Sequence, residues 1–475
     1  MTGTGDNGPR DAKGSVAPRR GKAGAPSGSV SPARLAAWRA LVRLRGAGGH
    51  FDDSVAALPE LQGLGPRDRA LANELIIGTI KRRGSVDAVL GAFTKAPLAQ
   101  TSEAVLEALR IAAFQILFLD RVPVYAVVDD AVRLVARKDA HAKGFANAVL
   151  RKVADDGADV FATLSEGDGM HASSVRHSCP VWMVRLLRRD LGDEAAERFL
   201  VAANAAPERC LRVNTLKGSL AAAREALAAA GTRTRGIPGL PQALVYDGPS
   251  LQRSAPFREG LVTPQSRGSQ IAGMVAATGA RGGVAVLDLC AAPGTKTAQL
   301  AALLGGSAIT AVDLDELRLD ALRTNLGRLG VEGVKALAAD ALELPPSTAG
   351  AYDAVLLDAP CSGLGTLGSR ADLRWRRRAS DIPRLADLQR RLLLSAARTV
   401  RPGGALTYAV CTVTRAETLG ALEPLLATGE WASDDLGAEW PGLAHPDAGG
   451  CLLILPPDGG SSGFFVARFR RIAGS

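Results

Sequence analysis

The sequence predicts a multidomain protein with an all-α domain over 31–155, a small α+β subdomain over 166–275 and an α/β, Rossmann-like domain over 280–475. Three observations carry that reading. At 475 residues the chain exceeds the usual span of one domain. Through residues 31–155 apolar side chains recur at helical spacing with no strand-like alternation. From Val284 onward, apolar runs alternate with amphipathic segments, the pattern of a doubly wound parallel sheet.

Composition narrows the class. The net charge of +9 favours a polyanionic partner. Cys179, Cys210, Cys290, Cys361, Cys411 and Cys451 are scattered, with no CxxC or Cys/His grouping of zinc-ligand spacing, so no metal is expected. Sparse cysteines also suit a reducing cytoplasm. The first thirty residues lack the apolar core of a signal peptide, and no apolar stretch approaches the roughly 20 residues that span a bilayer. A soluble, cytoplasmic protein is expected.

Residues 1–30 are Gly, Ser, Pro and Ala with scattered basic charge, and are expected to be a disordered tail. Ser31-Pro32 then opens a helix whose apolar face is Leu35, Trp38, Leu41, Val42 and Leu44. Further helical segments follow at Arg67–Lys81, Val86–Phe93, Ser102–Phe118, Tyr125–Val135 and Lys143–Val153, giving five to seven helices. The acidic, Gly-bearing stretch Asp155–Ser165 reads as a linker. Beyond it, helices at Met183–Leu191, Glu194–Ala202 and Ser219–Ala230 mix with strands at Leu211–Thr215 and Ala243–Tyr246. This part is either a spacer or one wall of a nucleic-acid groove.

In the α/β part, strand Val284–Leu289 feeds the loop Cys290-Ala291-Ala292-Pro293-Gly294-Thr295-Lys296 and then a helix over Thr297–Leu304. Strand Ala308–Val312 ends at Asp313, helix Glu316–Leu329 follows, and strand Val334–Ala338 precedes Asp340. Ligands of such sheets bind at the carboxyl ends of the strands. Gly294 lets backbone approach a ligand, and the helix behind it offers free N–H groups to a carboxylate. The loop 290–296 matches neither GxxxxGK[ST] nor GxGxxG, so it is no phosphate loop. An acid 25 residues after Asp288 suits ribose hydroxyls, and Asp340 suits an adenine amino group.

Strand Tyr352–Leu357 delivers Asp358 and Cys361 to the same edge, and strand Ala405–Val410 delivers Cys411 fifty residues after Cys361. Two strand-end thiols beside an acid point to covalent chemistry. Methyl transfer to C5 of a pyrimidine needs such equipment, since a thiolate adding at C6 makes C5 nucleophilic and an acid near N3 stabilises the developing charge. Which thiol attacks is open on the residues alone. Between the cysteines, the arginines of Ser369–Arg384 with Trp375 suit phosphate neutralisation and base stacking, or else a solvated loop.

Several of these segments resemble known families. Arg67–Leu75 with Gly78, Leu106–Leu117, Val124–Val132 and Gly144–Arg151 are similar, in this order, to the NusB-type antitermination domain. That resemblance implies a helical RNA-binding domain with Asn147, Arg151 and the Lys81-Arg82-Arg83 cluster on or near the RNA side. Arg212–Lys217 resembles the segment preceding the catalytic domain of RNA cytosine methyltransferases, and Cys290–Lys296 resembles their S-adenosylmethionine loop. The implied contacts are Cys290, Ala291, Ala292, Pro293, Gly294, Thr295 and Lys296 at the methionine end, Asp313 at the ribose and Asp340 at the adenine side. Asp358-Ala-Pro-Cys361-Ser-Gly and Tyr408-Ala-Val-Cys411-Thr look like the family's two-cysteine signature, and Asp372-Leu-Arg-Trp375 with Gln389 also fits its pattern.

In that family the later cysteine attacks. The resemblance therefore implies Cys411 as nucleophile, Asp358 at N3 and beside the cofactor, and Cys361 in proton removal or product release. Thr295 stands where the family carries Gly, and the proline that follows its later cysteine is missing, although Glu417 remains. Taken together, the chain resembles the bacterial 16S rRNA cytosine-C5 methyltransferases of the Sun/Fmu type. The expectation is a monomeric, S-adenosylmethionine-dependent class I methyltransferase making 5-methylcytidine in 16S rRNA through a cysteine–C6 adduct. Its alternatives are action on another RNA (tRNA or a different rRNA site) and a catalytically silent RNA-binding or antitermination factor.

Overall fold

The computed structural model describes residues 29–46, 58–280, 284–457, 460 and 462–473, so the tail expected over 1–30 lies almost wholly outside the described residues. The first core is helical. Helices Pro32–Gly46, Pro66–Ala92, Val124–Ala136 and Lys143–Ser165 surround Glu103–Phe118, a helix buried at every position from Val105 to Gln115. Such all-round burial requires polar side chains to find partners. Arg110 bonds to Glu107 and Asp87 at 2.6–2.7 Å, and Gln115 accepts from Arg34 at 2.8 Å.

Two sequence expectations fail here. Arg67–Lys81 and Val86–Phe93 are parts of one 27-residue helix, which runs unbroken through Gly84. The stretch read as a linker, 155–165, is the last half of the helix Lys143–Ser165, because Val160 and Phe161 still fall on the apolar stripe. The Phe161 ring meets Phe118 edge-on at 5.4 Å. Acidic composition hid two apolar side chains at helical spacing.

Three helices follow, Met170–His177, Val181–Leu191 and Asp193–Asn204. Met183, Leu187, Phe199 and Leu200 pack on Leu364, Leu367, Leu373 and Val413, which flank the two cysteines in sequence. A small antiparallel sheet comes next, with β1 (Cys210–Val213), β2 (Arg233–Ile237), β3 (Leu240–Asp247) and β4 (Val262–Pro264) in the order β2-β3-β1-β4. With helices Leu220–Ala229 and Ala255–Arg258 this is the βαββαβ arrangement. The α+β reading holds, although β2 and β4 were not foreseen.

The large sheet contains β5 (Ala285–Leu289), β6 (Ala308–Asp313), β7 (Val334–Ala338), β8 (Tyr352–Asp358) and β9 (Val400–Val410), all parallel. It also contains β10 (Trp431–Ser433), β11 (Ala444–His445), β12 (Ala448–Ile454) and β13 (Phe464–Arg471). Their order is β11-β12-β13-β9-β8-β5-β6-β7, with β10 on β13. Helices Arg267–Gly279 and Thr295–Leu303 cover one face, and Asp381–Thr399 and Leu419–Leu426 the other. Both faces are buried, as near-continuous apolar strands require. Asp358 lies opposite Ala409, so the chain leaves β8 and β9 side by side on the carboxyl edge.

The segment after Cys361 corrects a sequence expectation. Arg374 is fully buried and donates to the carbonyls of Lys81 and Ala203 and to Asn204 Oδ1 at 2.8–2.9 Å. Trp375 Nε1 donates to the Ile80 carbonyl at 2.8 Å, and its ring carries Arg83 at 5.4 Å. Arg374 and Trp375 thus join the helical domain to the sheet domain and are not an exposed stacking platform. Lys81 belongs to the same joint, buried with Nζ on the Ala205 carbonyl at 2.6 Å. Burial, together with Arg374 and Arg82, lowers its pKa to about 8. Arg82 is half-buried over the Phe118 ring, whereas Arg151 is exposed and Asn147 half-buried. No helix among the described residues is long and apolar enough to cross a membrane.

Candidate active site

The loop after β5 is built for close approach. Cys290 adopts φ 59°, and Gly294 turns left-handed at φ 88° before helix Thr295–Leu303 begins. A Cβ on Gly294 would meet Leu322 Cγ at 2.9 Å, so only glycine fits against the helix Glu316–Leu329. Thr295 opens the helix in ordinary helical backbone, and the absence of the family's glycine there costs no strain. Burial pushes the Cys290 thiol up to about 12, which leaves it inert.

Acids and bases converge behind the loop. Asp313 Oδ2 accepts from the Ala292 amide at 3.1 Å, while Oδ1 accepts from Arg318 at 3.2 Å. Asp313 thus shapes the loop and keeps lone-pair capacity for a further donor. Asp340, half-buried, accepts from the Leu342 amide at 2.8 Å. Asp288 is fully buried and accepts from Thr297 Oγ1 at 2.6 Å. Burial, with Asp358 and Asp313 nearby, pushes its carboxyl up to about 7.

The residues present fit a small zwitterionic ligand. Two buried polar atoms flanking the loop have no partner, Asp288 Oδ1 and Arg212 Nη1. The first turn of helix Thr295–Leu303 has no side-chain cap. Arg212 itself, expected near an RNA groove, is fully buried behind the loop, with Nε on Gln265 at 2.7 Å. It braces the loop from behind, with Nη2 toward the Thr295 carbonyl at 3.5 Å, and does not face solvent.

Lys296 Nζ donates to Asp358 Oδ2 at 2.7 Å and stands 5.5 Å from the Phe464 ring centre. Burial acts to lower the ammonium's pKa, but Asp358 outweighs it and leaves Lys296 raised and charged. Next to this pair lie the thiols, with Cys361 Sγ and Cys411 Sγ 3.3 Å apart. Their contact holds Cys361 well above the ordinary thiol range and Cys411 below it. Burial and Asp358 oppose the lowering of Cys411, while Lys296 and Arg370 assist it. The two thiols are in hydrogen-bond contact, and the cations Lys296 and Arg370 act on Cys411.

The structure brings Lys296, Asp358, Cys361 and Cys411 together and sets Cys290 to Gly294, Asp313 and Asp340 along the same edge. Sequence reasoning missed Glu417 as a functional residue, although it was noted in the loop after Cys411. Its carboxylate is completely buried and accepts from Ser362 and Thr412, the residues that follow the two cysteines. An acid among Thr412, Thr414 and Thr418 was the available signal.

Comparison with known proteins gives three family matches: 16S rRNA methyltransferase RsmB/F over residues 279–470, the NusB family over 31–155, and the ferredoxin-like domain of RsmF/B-like methyltransferases over 179–251. The ribosomal RNA small subunit methyltransferase B of Pseudomonas putida is 32% identical over 93% of this chain and 99% of its own. Its namesake in Xylella fastidiosa is 35% identical over 87% of this chain and 94% of its own. A putative methyltransferase of Mycobacterium tuberculosis is 33% identical over 93% of this chain and 97% of its own. The crystal structure of PH0851 superposes with TM-score 0.76 at 26% identity, covering 93% of this chain and 99% of that one.

Proposed function

Starting from membership of the RsmB/F family of 16S rRNA methyltransferases, to which this chain belongs, we propose that it methylates C5 of a cytosine in 16S rRNA through a covalent cysteine adduct. It is an S-adenosylmethionine-dependent rRNA methyltransferase, and the cofactor supplies an electrophilic methyl group on its sulfonium. The loop Cys290–Lys296 holds the methionine end, Asp313 the ribose and Asp340 the adenine side. The single observation that carries the cytosine reading is the thiol pair, 3.3 Å apart at the ends of two adjacent parallel strands with Lys296–Asp358 beside it.

The chemistry of these residues runs in one direction. Cys411 Sγ, deprotonated, forms a bond to C6 of a cytosine turned out of its stack, and the C5–C6 π pair shifts to C5. In this reading Asp358, carrying a proton taken from solvent, donates it to N3 as negative charge builds there, and Lys296 fixes its orientation. C5 would then take the methyl group, the electron pair of the broken methyl–sulfur bond staying on the sulfur as a neutral thioether. A water at the open edge then takes the C5 proton, the C5–C6 double bond re-forms as the Cys411–C6 bond breaks, and Cys361 hydrogen-bonds to the departing Cys411 thiolate while keeping its own proton.

The experiment has two arms. Incubated with S-adenosylmethionine and unmodified 16S rRNA, C361A should accumulate a covalent protein–RNA band, whereas C411A should give neither adduct nor product. The reverse pattern would exchange their roles. Bisulfite mapping in a strain lacking the protein should lose one small-subunit cytosine mark. An intact 16S profile with a lost tRNA mark would move the substrate to tRNA.

A further inference from the structure

We propose that Glu417 is the positioning residue of the cysteine pair, a single buried carboxylate that holds both thiol-bearing loops in register and so sets which of the two thiols reacts. The inference rests on the reading above in taking Cys411 as the reacting thiol.

The geometry begins with the donors. Oε1 accepts from the Ser362 amide at 2.7 Å and from Gln389 Nε2 at 3.2 Å. Oε2 accepts from the hydroxyls of Ser362 at 2.6 Å, Thr414 at 2.8 Å and Thr412 at 3.1 Å. Ser362 follows Cys361 and Thr412 follows Cys411, so one side chain reaches both loops. The two hydroxyls also lie 2.9 Å from each other. Behind them, Gln389 bonds to the Pro360 carbonyl at 2.9 Å, and Tyr408 donates to the Glu417 carbonyl at 2.8 Å. Glu417 is thereby fixed to β9 and the Cys361 loop is fixed to Glu417.

The residue type is specified by this arrangement. Five donors converge on two oxygens, and only a carboxylate is an acceptor at both. Glutamine would turn an N–H toward donors on one side and leave buried groups unpaired. The charge matters as well as the shape, because no Lys or Arg bridge to Glu417 is found among the described residues. The Cys411 contact and burial do most to oppose ionisation of Cys361, and Glu417 adds to them, while Lys296 and Arg370 favour the thiolate of Cys411. Glu417 on one side and these cations on the other thus polarise the pair. From outside, Arg377 clamps the carbonyls of Ser362 and Cys361 at 2.8 and 3.1 Å, closing the frame.

The test reads thiol selectivity in the full chain without RNA. Wild type, E417D and E417Q are treated with limiting iodoacetamide between about pH 6.5 and 9, and the Cys361 and Cys411 peptides are quantified by mass spectrometry. Wild type should label at Cys411 first. E417Q should lose about tenfold of the Cys411-over-Cys361 preference, the consequence of a one-unit change in relative thiol acidity. E417D should retain most of it. In methyl transfer, E417Q should lower kcat with the KM for S-adenosylmethionine unchanged. An E417Q protein that keeps the wild-type selectivity and pH profile overturns the proposal, whatever its stability. If E417Q does not fold, S362A, which removes one tether and keeps the charge, must still reduce the preference; an unchanged preference there overturns it too. Methyl transfer by C411A would instead sink the nucleophile assignment and leave the thiol-selectivity result standing.

Discussion

Asp288 and Lys296 show two ways in which burial sets a charge. Asp288 forms no ion pair among the described residues, and its pKa rises to about 7 because the interior disfavours the anion. The native chain therefore holds that proton more tightly than the unfolded chain, whose carboxyl titrates near about 4. Stability falls as pH rises from about 4 to about 7 and is level above that. D288N keeps the acceptor for Thr297 and removes the titration. Its melting temperature should gain on wild type between about pH 5 and 7.5, and a pH-independent difference would refute the assignment. Lys296 keeps its charge through Asp358, and it also favours the Cys411 thiolate. K296Q should therefore move the pH midpoint of Cys411 alkylation upward, by roughly one unit. At this scale the sequence was legible for Asp358, Cys361 and Cys411, because strand ends carry them. The Asp288 orphan and the Glu417 tether were not, because burial and hydrogen-bond partners arise from segments far apart in the chain.

Among elements, the turn after Cys361 has two tasks. Gly365 donates its amide to the Cys411 carbonyl at 3.1 Å and accepts from Gly463 at 2.6 Å, linking the ends of β9 and β13 to the Cys361 loop. A Cβ there would lie 2.2 Å from the Gly463 carbonyl oxygen and 2.9 Å from that of Cys411. G365A must displace that backbone by roughly 1 Å, and kcat should drop on the order of 100-fold with secondary structure retained by circular dichroism. Further along, Arg374 reaches four backbone or amide acceptors with no carboxylate partner among the described residues, and burial lowers its pKa. R374A leaves those acceptors unpaired and should cost about 3 kcal/mol in urea unfolding. Undiminished stability with weakened RNA binding would restore the RNA-contact reading of this segment. An Arg/Trp-rich stretch looks the same in sequence whether it faces a phosphate or a neighbouring helix.

For the whole molecule, the joint made by Arg374, Trp375 and Lys81 ties the NusB-family domain to the methyltransferase sheet, and Asn214 ties the small sheet to the Leu329 carbonyl at 2.7 Å. The three parts thus present a common frame to an RNA. With a net charge of +9, binding should release counterions. Affinity for a 16S rRNA fragment, measured by filter binding, should weaken by about tenfold or more between 50 and 200 mM salt. A flat salt dependence would mean that phosphate contacts contribute little.

The sequence by itself determined the three kinds of architecture, the parallel strands of the methyl-transfer domain and the edge at which its acids and thiols emerge. Periodicity and strand-end chemistry are local properties, and local order along the chain is enough to read them. Tertiary structure alone decided which arginines face inward, that the segment 155–165 is helix, and that Cys361 and Cys411 lie in contact. Those outcomes depend on what each side chain is desolvated against. Glu417 lies close to Cys411 in sequence, yet its work is done on Ser362, and only the pairing of β8 with β9 brings that residue within reach.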